Sequence, residues 1–415
     1  MAAWQQGSKS FKSGIITRVA LGIYISVPFC RTKCSYCNFA SDVFSRAVFQ
    51  RYVDRVCADI ATAPQVAEEM GAKIENEVDS IYLGGGTPTV LESAQLRRIF
   101  DAVRQQFSVS SDAEITVECA PGTLAPSVVE GLLACGVGRI SLGVQSFVDA
   151  EAAAVGRLHK RATVLEDIAR LRAAGIANIN IDLIAGLPHQ TEESWQYSLD
   201  ETLATHAPHV SVYMLEVDED SRLGREVIAG GTRYHAHFVP DEEATADFYI
   251  VACEQLEAAG IAQYEISNFA RPGSESRHNL KYWTRQPYLG FGVDAHSMLL
   301  STSPEVPAVR LASADVLEKY VTGSPLQRTE IPKAAALEET FFLGLRLNKG
   351  VDLRQVAATF GQQALENLRP TIAGLMSDEL IQQTGDFIRL TPRGRLLSNE
   401  VFQAFLETST VSNKA

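Results

Sequence analysis

Short runs of apolar, often β-branched residues alternate with amphipathic stretches along the first half of the chain. Each amphipathic stretch ends near a glycine or a polar turn, as helices do. Alternation of this kind is typical of βα units and predicts a parallel sheet. Six strands are predicted, at residues 22–28, 79–85, 114–119, 139–144, 178–184 and 210–216. Helices are predicted between them, at residues 47–63, 92–107, 125–135, 161–174 and 192–205.

The regular alternation ends after residue 218. Residues 218–239 mix charged, glycine and aromatic residues and predict a long irregular connection, and residues 241–259 predict a helix. Residues 260–300 are dense in glycine and aromatic residues. The C-terminal part predicts four helices, at residues 337–345, 351–360, 365–378 and 400–407. It also predicts a strand at residues 387–390 that leads into a turn at residues 391–394. Helices next to a small β-wing are typical of a winged-helix domain.

We therefore predict an α/β fold, in which a partial (βα)6 TIM-like barrel is followed by a C-terminal α+β winged-helix-like domain. At 415 residues the chain is long enough for a large domain and a smaller one. Residues 301–307 are a plausible linker. The predicted parts are a disordered leader, the barrel, an irregular extension and the winged-helix-like domain, at residues 1–20, 21–218, 219–307 and 308–415.

Charge and composition exclude some classes of function. The formal net charge of −13 disfavours nonspecific binding to nucleic acid. The chain has no stretch of 18 uncharged apolar residues, so no membrane span is predicted. Peripheral contact with a membrane remains compatible with the sequence. The first 13 residues are polar and lack the apolar segment of a signal peptide. Seven cysteines without a secretion signal indicate a reducing compartment, so we expect a cytoplasmic protein.

Three cysteines lie within eight residues, with the spacing C-x3-C-x2-C: Cys30, Cys34 and Cys37. Three thiolates can hold three irons of a cubane iron–sulfur cluster and leave the fourth iron open. The same spacing also fits one face of a helix with buried thiols, and a zinc site is a further alternative. Zinc usually needs four ligands, commonly two C-x2-C pairs, and the chain has no second pair. A predicted strand directly before the cysteines places them in a loop and favours the cluster.

Other polar motifs stand at the ends of the predicted strands. The glycines after residue 83 would let a ligand approach the backbone closely. Glu118 and Asp182 are acids within apolar strands, where a carboxylate is rarely buried without a partner, so each is a ligand contact or a structural ion pair. Gln145 offers both a donor and an acceptor. Arg157 could bind a carboxylate through two guanidinium N–H groups, or it could be an ordinary surface arginine.

Together, the cysteines and these strand-end motifs resemble the radical S-adenosylmethionine (SAM) enzymes. The resemblance implies a [4Fe–4S] cluster on the three cysteines, whose open iron chelates S-adenosylmethionine, and an electron donor that reduces the cluster. It also implies a set of residues around S-adenosylmethionine: Tyr24, Gly85, Gly86, Thr87, Glu118, Gln145, Arg157 and Asp182.

Four longer motifs, at residues 24–30, 142–147, 155–159 and 182–191, are similar to the oxygen-independent coproporphyrinogen oxidase-like subgroup. The chain departs from the true oxidases of that subgroup at two positions. Phe39 stands where the oxidases have a further cysteine, and Ser26 stands where they have a histidine. Both departures weigh against decarboxylation of coproporphyrinogen, and Ser26 is the weaker of the two because that histidine is common across the wider subgroup.

A further motif, H-N-x-x-Y-W, resembles the HemW haem chaperones of this subgroup: His278, Asn279, Tyr282 and Trp283. A neutral imidazole is a good axial ligand for haem iron, and aromatic rings offer flat faces to a porphyrin. Arg277 or Lys281 could meet the propionates. The alternative is that a histidine beside a tryptophan is purely structural. A second pair, His235 and His237, is taken to be solvent-exposed, with contact to haem or a metal as the less favoured alternative.

The resemblance thus implies haem as cargo and haem-accepting respiratory proteins as partners. The preferred interpretation is a cytoplasmic haem chaperone that carries a cluster and S-adenosylmethionine. The alternatives are an oxygen-independent coproporphyrinogen III oxidase or dehydrogenase, and a radical methyltransferase or haem-degrading relative. Cleavage of S-adenosylmethionine in turnover would make the chain an enzyme, and binding alone would not.

Overall fold

The structure, a computed structural model, describes residues 19–406 of the chain. The predicted leader therefore lies outside the described residues, apart from its last two positions. Residues 19–214 contain seven strands: β1 Leu21–Val27, β2 Ala72–Lys73, β3 Glu77–Gly85, β4 Ser108–Cys119, β5 Arg139–Gln145, β6 Asn178–Ala185 and β7 His209–Met214. Between them lie six helices: α1 Phe49–Glu69, α2 Ser93–Gln106, α3 Pro126–Ala134, α4 Asp149–Ala154, α5 Arg161–Ala173 and α6 Glu192–Ala204.

Six of these strands form the predicted parallel sheet. They pair in the order β1-β3-β4-β5-β6-β7, and each pair is parallel. All six predicted strands are confirmed, although β4 begins earlier than predicted. The sheet does not close between β7 and β1, so the barrel is partial.

Side chains alternate between the two faces of each strand. In β1, Ile23 and Ile25 are fully buried against helices such as α1, whose Val53 and Val56 belong to the same core. Each such buried aliphatic side chain stabilises the fold by roughly 1.5–3 kcal/mol. Gly22 and Tyr24, which alternate with these two residues, face the barrel interior, where a Cβ on Gly22 would lie 3.2 Å from Ser80 Oγ. The helices therefore cover the outside of the sheet, and the interior is left for polar groups.

The region after β7 is more regular than predicted. It contains four helices, α7 Arg222–Ile228, α8 Glu242–Ala258, α9 Arg277–Trp283 and α10 Leu317–Val321, and a short 3-10 segment, Arg233–Phe238. It also contains six strands: β8 Ala262–Gln263, β9 Asn268–Ala270, β10 Tyr288–Phe291, β11 His296–Ser301, β12 Ala308–Ala312 and β13 Gln327–Ile331. The predicted helix at 241–259 is confirmed, but the irregular character predicted for residues 219–307 is wrong in most of its length.

These strands extend the parallel sheet at both edges. Strand β10 pairs in parallel with β1, β11 to β13 follow in antiparallel order, and β9 and β8 extend the sheet beyond β7. The predicted linker at 301–307 connects the antiparallel neighbours β11 and β12. The boundary predicted at residue 307 is therefore wrong, because the backbone of β12 is hydrogen-bonded within the large sheet.

The C-terminal part has its own core and a small sheet in the order β14-β16-β15. Its elements are α11 Lys333–Gly344, β14 Val351–Asp352, α12 Leu353–Phe360, α13 Gln362–Ser377, β15 Ile381–Thr384, β16 Phe387–Leu390, α14 Pro392–Leu396 and α15 Ser398–Leu406. Three helices followed by a β-hairpin match the predicted winged-helix-like arrangement. Residues 391–394, predicted as a turn, instead begin α14, where the Thr391 hydroxyl accepts from Gly394 N. Within residues 19–406, no helix is both long and apolar enough to span a membrane.

Candidate functional site

The three cysteines lie in the loop between β1 and α1, and all are free thiols. The loop is closed on itself at its base, because Cys30 N donates to Asp42 O at 3.0 Å and Asp42 N donates to Pro28 O at 2.9 Å. Burial raises the pKa of the Cys30 thiol. The helical alternative for these cysteines is excluded, since the chain has no helix between β1 and Arg46.

The far side of the loop is held by a single lysine. Lys33 Nζ donates to Phe39 O at 2.7 Å and to Ser41 O at 2.8 Å, and it lies 3.7 Å from Cys37 Sγ. A cation inside the loop also offsets part of the negative charge that three thiolates and a cluster would bring. The loop is thus shaped by its own residues and not only by its neighbours.

The glycine-rich turn after β3 supports the cysteine loop through its backbone. Gly86 N donates to Val27 O at 2.9 Å, and Thr87 N donates to Phe29 O at 2.8 Å. A Cβ at position 86 would lie 2.6 Å from Val27 O, so only glycine fits this close approach. The Thr87 hydroxyl lies 3.9 Å from Cys30 Sγ. The sequence assigned this turn to a ligand, and the structure shows that it also positions the cysteines.

Glu118 lies at the cavity-facing end of β4. Its carboxylate accepts from Tyr82 OH at 2.8 Å and from Gly85 N at 3.2 Å. A Cβ on Gly84 would lie 2.7 Å from the Glu118 carboxyl carbon, which explains a second glycine of the turn. Burial, and then the nearby Asp182, raise the pKa of Glu118 to about 7 against the lowering effect of the Tyr82 hydrogen bond. Glu118 is therefore poised to change charge near neutral pH.

Asp182 lies on β6 and belongs to a polar network on the barrel floor. Ser141 Oγ donates to one carboxylate oxygen at 3.0 Å, and Asn180 Nδ2 donates to the other at 2.7 Å. Burial raises the pKa of Asp182, and the hydrogen bonds from neighbouring side chains oppose that shift. No basic side chain pairs directly with this carboxylate among the residues described, so the ion-pair alternative is not supported.

Gln145 and Arg157 meet beside Gly143. Gln145 has a φ of 68°, a left-handed conformation that is uncommon for a residue with a side chain. Its Oε1 atom is buried and lacks a hydrogen-bond partner among the described residues. Arg157 donates to Gly143 O and places its other amino group 3.7 Å from Cys34 Sγ. Strained backbone and an unpaired buried acceptor are features that mark ligand sites.

These groups surround one cavity of about 1450 Å³. Ten of the eleven predicted cluster and S-adenosylmethionine residues line it: Cys30, Cys34, Cys37, Gly85, Gly86, Thr87, Glu118, Gln145, Arg157 and Asp182. The exception is Tyr24 of β1, which is half-buried, with its ring centroid 6.2 Å from that of Tyr82 and 6.4 Å from that of His278. Its hydroxyl still adjoins the glycine turn, because a Cβ on Gly85 would lie 3.3 Å from Tyr24 Oη.

Sequence reasoning missed part of the wall. Tyr82 and Ser141 line the cavity and could have been found, because each lies two residues before a motif position on the same strand face. The C-terminal part also reaches the cavity through Arg346, Arg393 and residues 396–399. No local pattern marks these residues, since only the docking of the two parts brings them there.

The donor set fits a cubane cluster better than a single ion. Within residues 19–406, no three His, Cys, Asp or Glu side chains come close enough to share one metal ion. A [4Fe–4S] cluster does not require that, because each thiolate binds a different iron. The zinc alternative therefore loses support. The unpaired Gln145 acceptor and the two carboxylates equally fit the polar groups of S-adenosylmethionine.

The H-N-x-x-Y-W motif lies elsewhere, on α9, which packs at the opposite end of the barrel. His278 is 1% exposed. Its Nδ1 lies 3.0 Å from Ser80 Oγ, and its Nε2 lies 2.8 Å from Tyr282 OH. Burial, and then the charges of Lys281 and Arg139, lower the pKa of His278 to about 3, so the ring is neutral. Both ring nitrogens are engaged, and the structure does not support the prediction that His278 binds haem iron.

Other residues in and beside the motif also make contacts within the protein. Lys281 Nζ forms a buried ion pair with Asp79 at 2.8 Å and donates to Ala20 O at 2.7 Å, so it cannot reach a propionate. Trp283 is covered by the Arg346 guanidinium, 4.3 Å from the ring centroid. The Asn279 backbone N–H caps the helix through Ser276 Oγ. Arg277 alone is exposed, and its side chain donates to Asp112 O.

Comparisons with known proteins agree with this architecture. Residues 24–201 match the Radical SAM superfamily, and residues 331–397 match the HemN C-terminal domain. The chain is 35% identical over 387 residues to the heme chaperone HemW of Bacillus subtilis, which covers 92% of this chain and 98% of that protein. It is 30% identical over 393 residues to the heme chaperone HemW of Escherichia coli, with 93% and 98% covered.

A solved structure shares the whole fold. Coproporphyrinogen III oxidase (HemN) from Escherichia coli, described as a radical SAM enzyme, superimposes with a TM-score of 0.78 over 93% of this chain and 90% of that one. At 24% identity this likeness shows the fold alone. With the cysteine loop, the cavity and relatives matched over nearly their full length, the chain belongs to the HemW family of the radical SAM superfamily.

Proposed function

We propose that this chain is a haem chaperone, which binds haem and passes it to respiratory haem proteins. In this proposal it also carries a [4Fe–4S] cluster on its three loop cysteines and S-adenosylmethionine at the strand ends. The observation that carries the proposal is the cavity, where ten predicted ligand residues converge in a member of a family of haem chaperones. We also propose that the protein works in the cytoplasm, because seven cysteines without a secretion signal indicate a reducing compartment.

The cavity residues divide the recognition of S-adenosylmethionine among them. The backbone of the glycine turn and the Glu118 carboxylate would accept from its ammonium group, and Asp182 would accept from its ribose hydroxyls. Gln145 Oε1, unpaired and buried, gives a further acceptor. Arg157 would meet the carboxylate of S-adenosylmethionine with its fork while it stays next to Cys34 Sγ.

The bound cluster would supply one open iron and one electron at a time. The protein supplies position and shelter. Lys33 and the glycine turn fix the cysteine loop, and Arg393 and Leu396 of the C-terminal part add to the cavity wall. A ligand that fills this cavity would displace water from around the reactive group.

Phe39 distinguishes this proposal from porphyrin oxidation. Its side chain lines the cavity mouth and is 64% exposed, at the position where the resemblance places a further cysteine of the oxidases. A phenyl ring cannot ligate or transfer electrons as a thiolate does, but an exposed one can pack against a planar apolar ligand. Haem handling therefore fits this loop better than oxidation of coproporphyrinogen.

The test is anaerobic reconstitution of the full chain, followed by haem titration with and without S-adenosylmethionine. We expect a haem-dependent Soret band with the cluster intact, and transfer of that haem to an apo respiratory haem protein. The matched control is the triple variant Cys30→Ala, Cys34→Ala, Cys37→Ala, which should lose the cluster absorbance. Absence of haem binding by the reconstituted protein refutes the chaperone, and anaerobic formation of protoporphyrinogen would favour the oxidase instead.

A further inference from the structure

An exposed group of histidines lies beside the cavity and has no role in the site described above. His189 is in the loop after β6, and His235 and His237 are in the 3-10 segment between α7 and α8. His189 Nε2 and His235 Nδ1 are 3.0 Å apart, and all three histidines are exposed. The ring of Phe238 lies 4.0 Å, between centroids, from both His189 and His237.

The backbone under this histidine group is strained. Positive φ angles of 69°, 54° and 61° occur at His189, Tyr234 and His235. A residue in a sparsely populated conformation costs roughly 1–3 kcal/mol and persists only where its surroundings hold it. Here His189 N donates to Phe238 O at 2.9 Å. Ala236 is buried in a small apolar cluster that includes Leu187 and Leu223, so two imidazoles are fixed on an exposed surface.

The hydrogen bond between the two rings leaves one imidazole ready to bind a metal centre. A histidine that binds iron usually donates its second ring N–H to a fixed partner. When His235 Nδ1 donates to His189 Nε2, the Nε2 lone pair of His235 is free on an exposed side chain.

A single free imidazole suits haem iron better than a bare ion. Structural zinc sites use four protein ligands and catalytic ones three, and residues 19–406 offer no such group of three. Haem iron already has four porphyrin nitrogens and needs only one or two axial ligands. Phe238 and Tyr234 are 48% and 41% exposed and offer flat apolar faces to the macrocycle. The exposed Arg233 can meet a propionate.

We propose that His235 is an axial ligand of the haem iron, that His189 orients it, and that this surface holds the cargo. The inference rests on the proposed function as a haem chaperone. The surface adjoins the cavity, because Val239, directly after Phe238, lines the cavity wall. Helix α7, which precedes the segment, is hydrogen-bonded to the cysteine loop through Leu223 N and Ser35 O at 2.8 Å.

The experiment uses the full chain with its cluster reconstituted, and titrates haem while the Soret band is recorded. Asparagine replaces each histidine, since it tolerates positive φ and removes only the imidazole. We expect His235→Asn to lose the Soret band of imidazole-ligated haem and to bind haem about 100-fold more weakly. We expect His189→Asn to bind haem about tenfold more weakly. Added imidazole should restore the band of His235→Asn. The control is His296→Asn, an exposed histidine of β11 outside the group, which should bind haem as the unmodified chain does.

The outcomes separate this inference from the proposed function. A parent chain that binds no haem refutes both. A parent chain that binds haem, with the same band and affinity in His235→Asn and His189→Asn, overturns only this inference. A last measurement titrates the chain with zinc alone by calorimetry. If zinc binds tightly, and His235→Asn loses zinc binding but keeps haem binding, the histidine group is an ion site and this inference is overturned. Unchanged S-adenosylmethionine binding in each variant confirms that the fold is intact.

Discussion

At the scale of single residues, Glu118 shows how burial of a side chain changes its pKa. Its pKa of about 7 results from desolvation opposed by the Tyr82 hydrogen bond. A carboxyl whose pKa is raised in the folded chain holds its proton more tightly there than in the unfolded chain. The stability it contributes is therefore present below its ordinary value of 4.5 and is lost as the pH rises through about 7.

The same proton should govern the binding of S-adenosylmethionine, which is cationic at its sulfonium and ammonium groups. We expect the affinity to rise with pH through about 7, as Glu118 becomes charged. Glu118→Gln should bind more weakly, by about tenfold, and without this pH dependence. Calorimetric titration between pH 6 and about pH 8 measures both effects. Glu242→Gln, an exposed rim carboxylate, is the control, and an unchanged pH profile in Glu118→Gln contradicts the assignment.

At the scale of elements, the turn after β3 depends on its glycines. Gly86→Ala should push the turn away from the cysteine loop, because the new methyl group would lie 2.6 Å from Val27 O and 2.8 Å from Phe29 O. We expect a lower iron and sulfide content after reconstitution, together with weaker S-adenosylmethionine binding. Gly138→Ala is the matched control, since a Cβ there has no atom of the described chain within 4 Å. Equal cluster content in the two variants would contradict the role of the glycine turn in holding the cluster.

Helix α9 is a second element whose role changed with the structure. It closes the far end of the barrel through His278 and Lys281 rather than presenting them to a ligand. We expect His278→Ala to lower the free energy of unfolding by about 2–4 kcal/mol, because it leaves Ser80 and Tyr282 without their partner and opens a cavity. Haem affinity should stay unchanged. Chemical denaturation and haem titration test the two claims, with His296→Ala as control; loss of haem binding without loss of stability would restore the original prediction.

At the scale of the whole molecule, the C-terminal part completes the cavity. Arg346 connects the two parts: its guanidinium lies 3.6 Å from the fully buried Glu265 carboxylate and over the Trp283 ring. Its carbonyl also accepts from Ile266 N at 3.1 Å. Because Arg346 and residues 396–399 line the cavity, docking and ligand binding should depend on each other.

Removing this arginine tests that dependence. Arg346→Met leaves the Glu265 charge buried without its cation, a loss of about 3 kcal/mol. We expect faster hydrogen exchange across residues 331–406 and weaker S-adenosylmethionine binding. Arg354→Met, which removes an exposed pair with Asp386, is the control and should change neither. If exchange in the C-terminal part is the same in both variants, the interface does not depend on Arg346.

The sequence by itself determined the elements and the chemistry along them. Apolar periodicity is a local signal, so the six parallel strands and most helices could be predicted, with only their ends in error. Residues at the carboxyl ends of parallel strands must meet at one edge of the sheet, so the cysteines, Glu118, Gln145 and Asp182 could be assigned to one site.

Only the tertiary structure decided which polar groups are open to a ligand. His278 and His235 look alike in sequence, yet one is buried with both nitrogens bonded and the other is exposed beside His189. Tyr24 of β1 does not line the cavity, and Arg346 lines it from a distant part of the chain. Burial and long-range docking arise from contacts between residues far apart in sequence, and no local pattern records them.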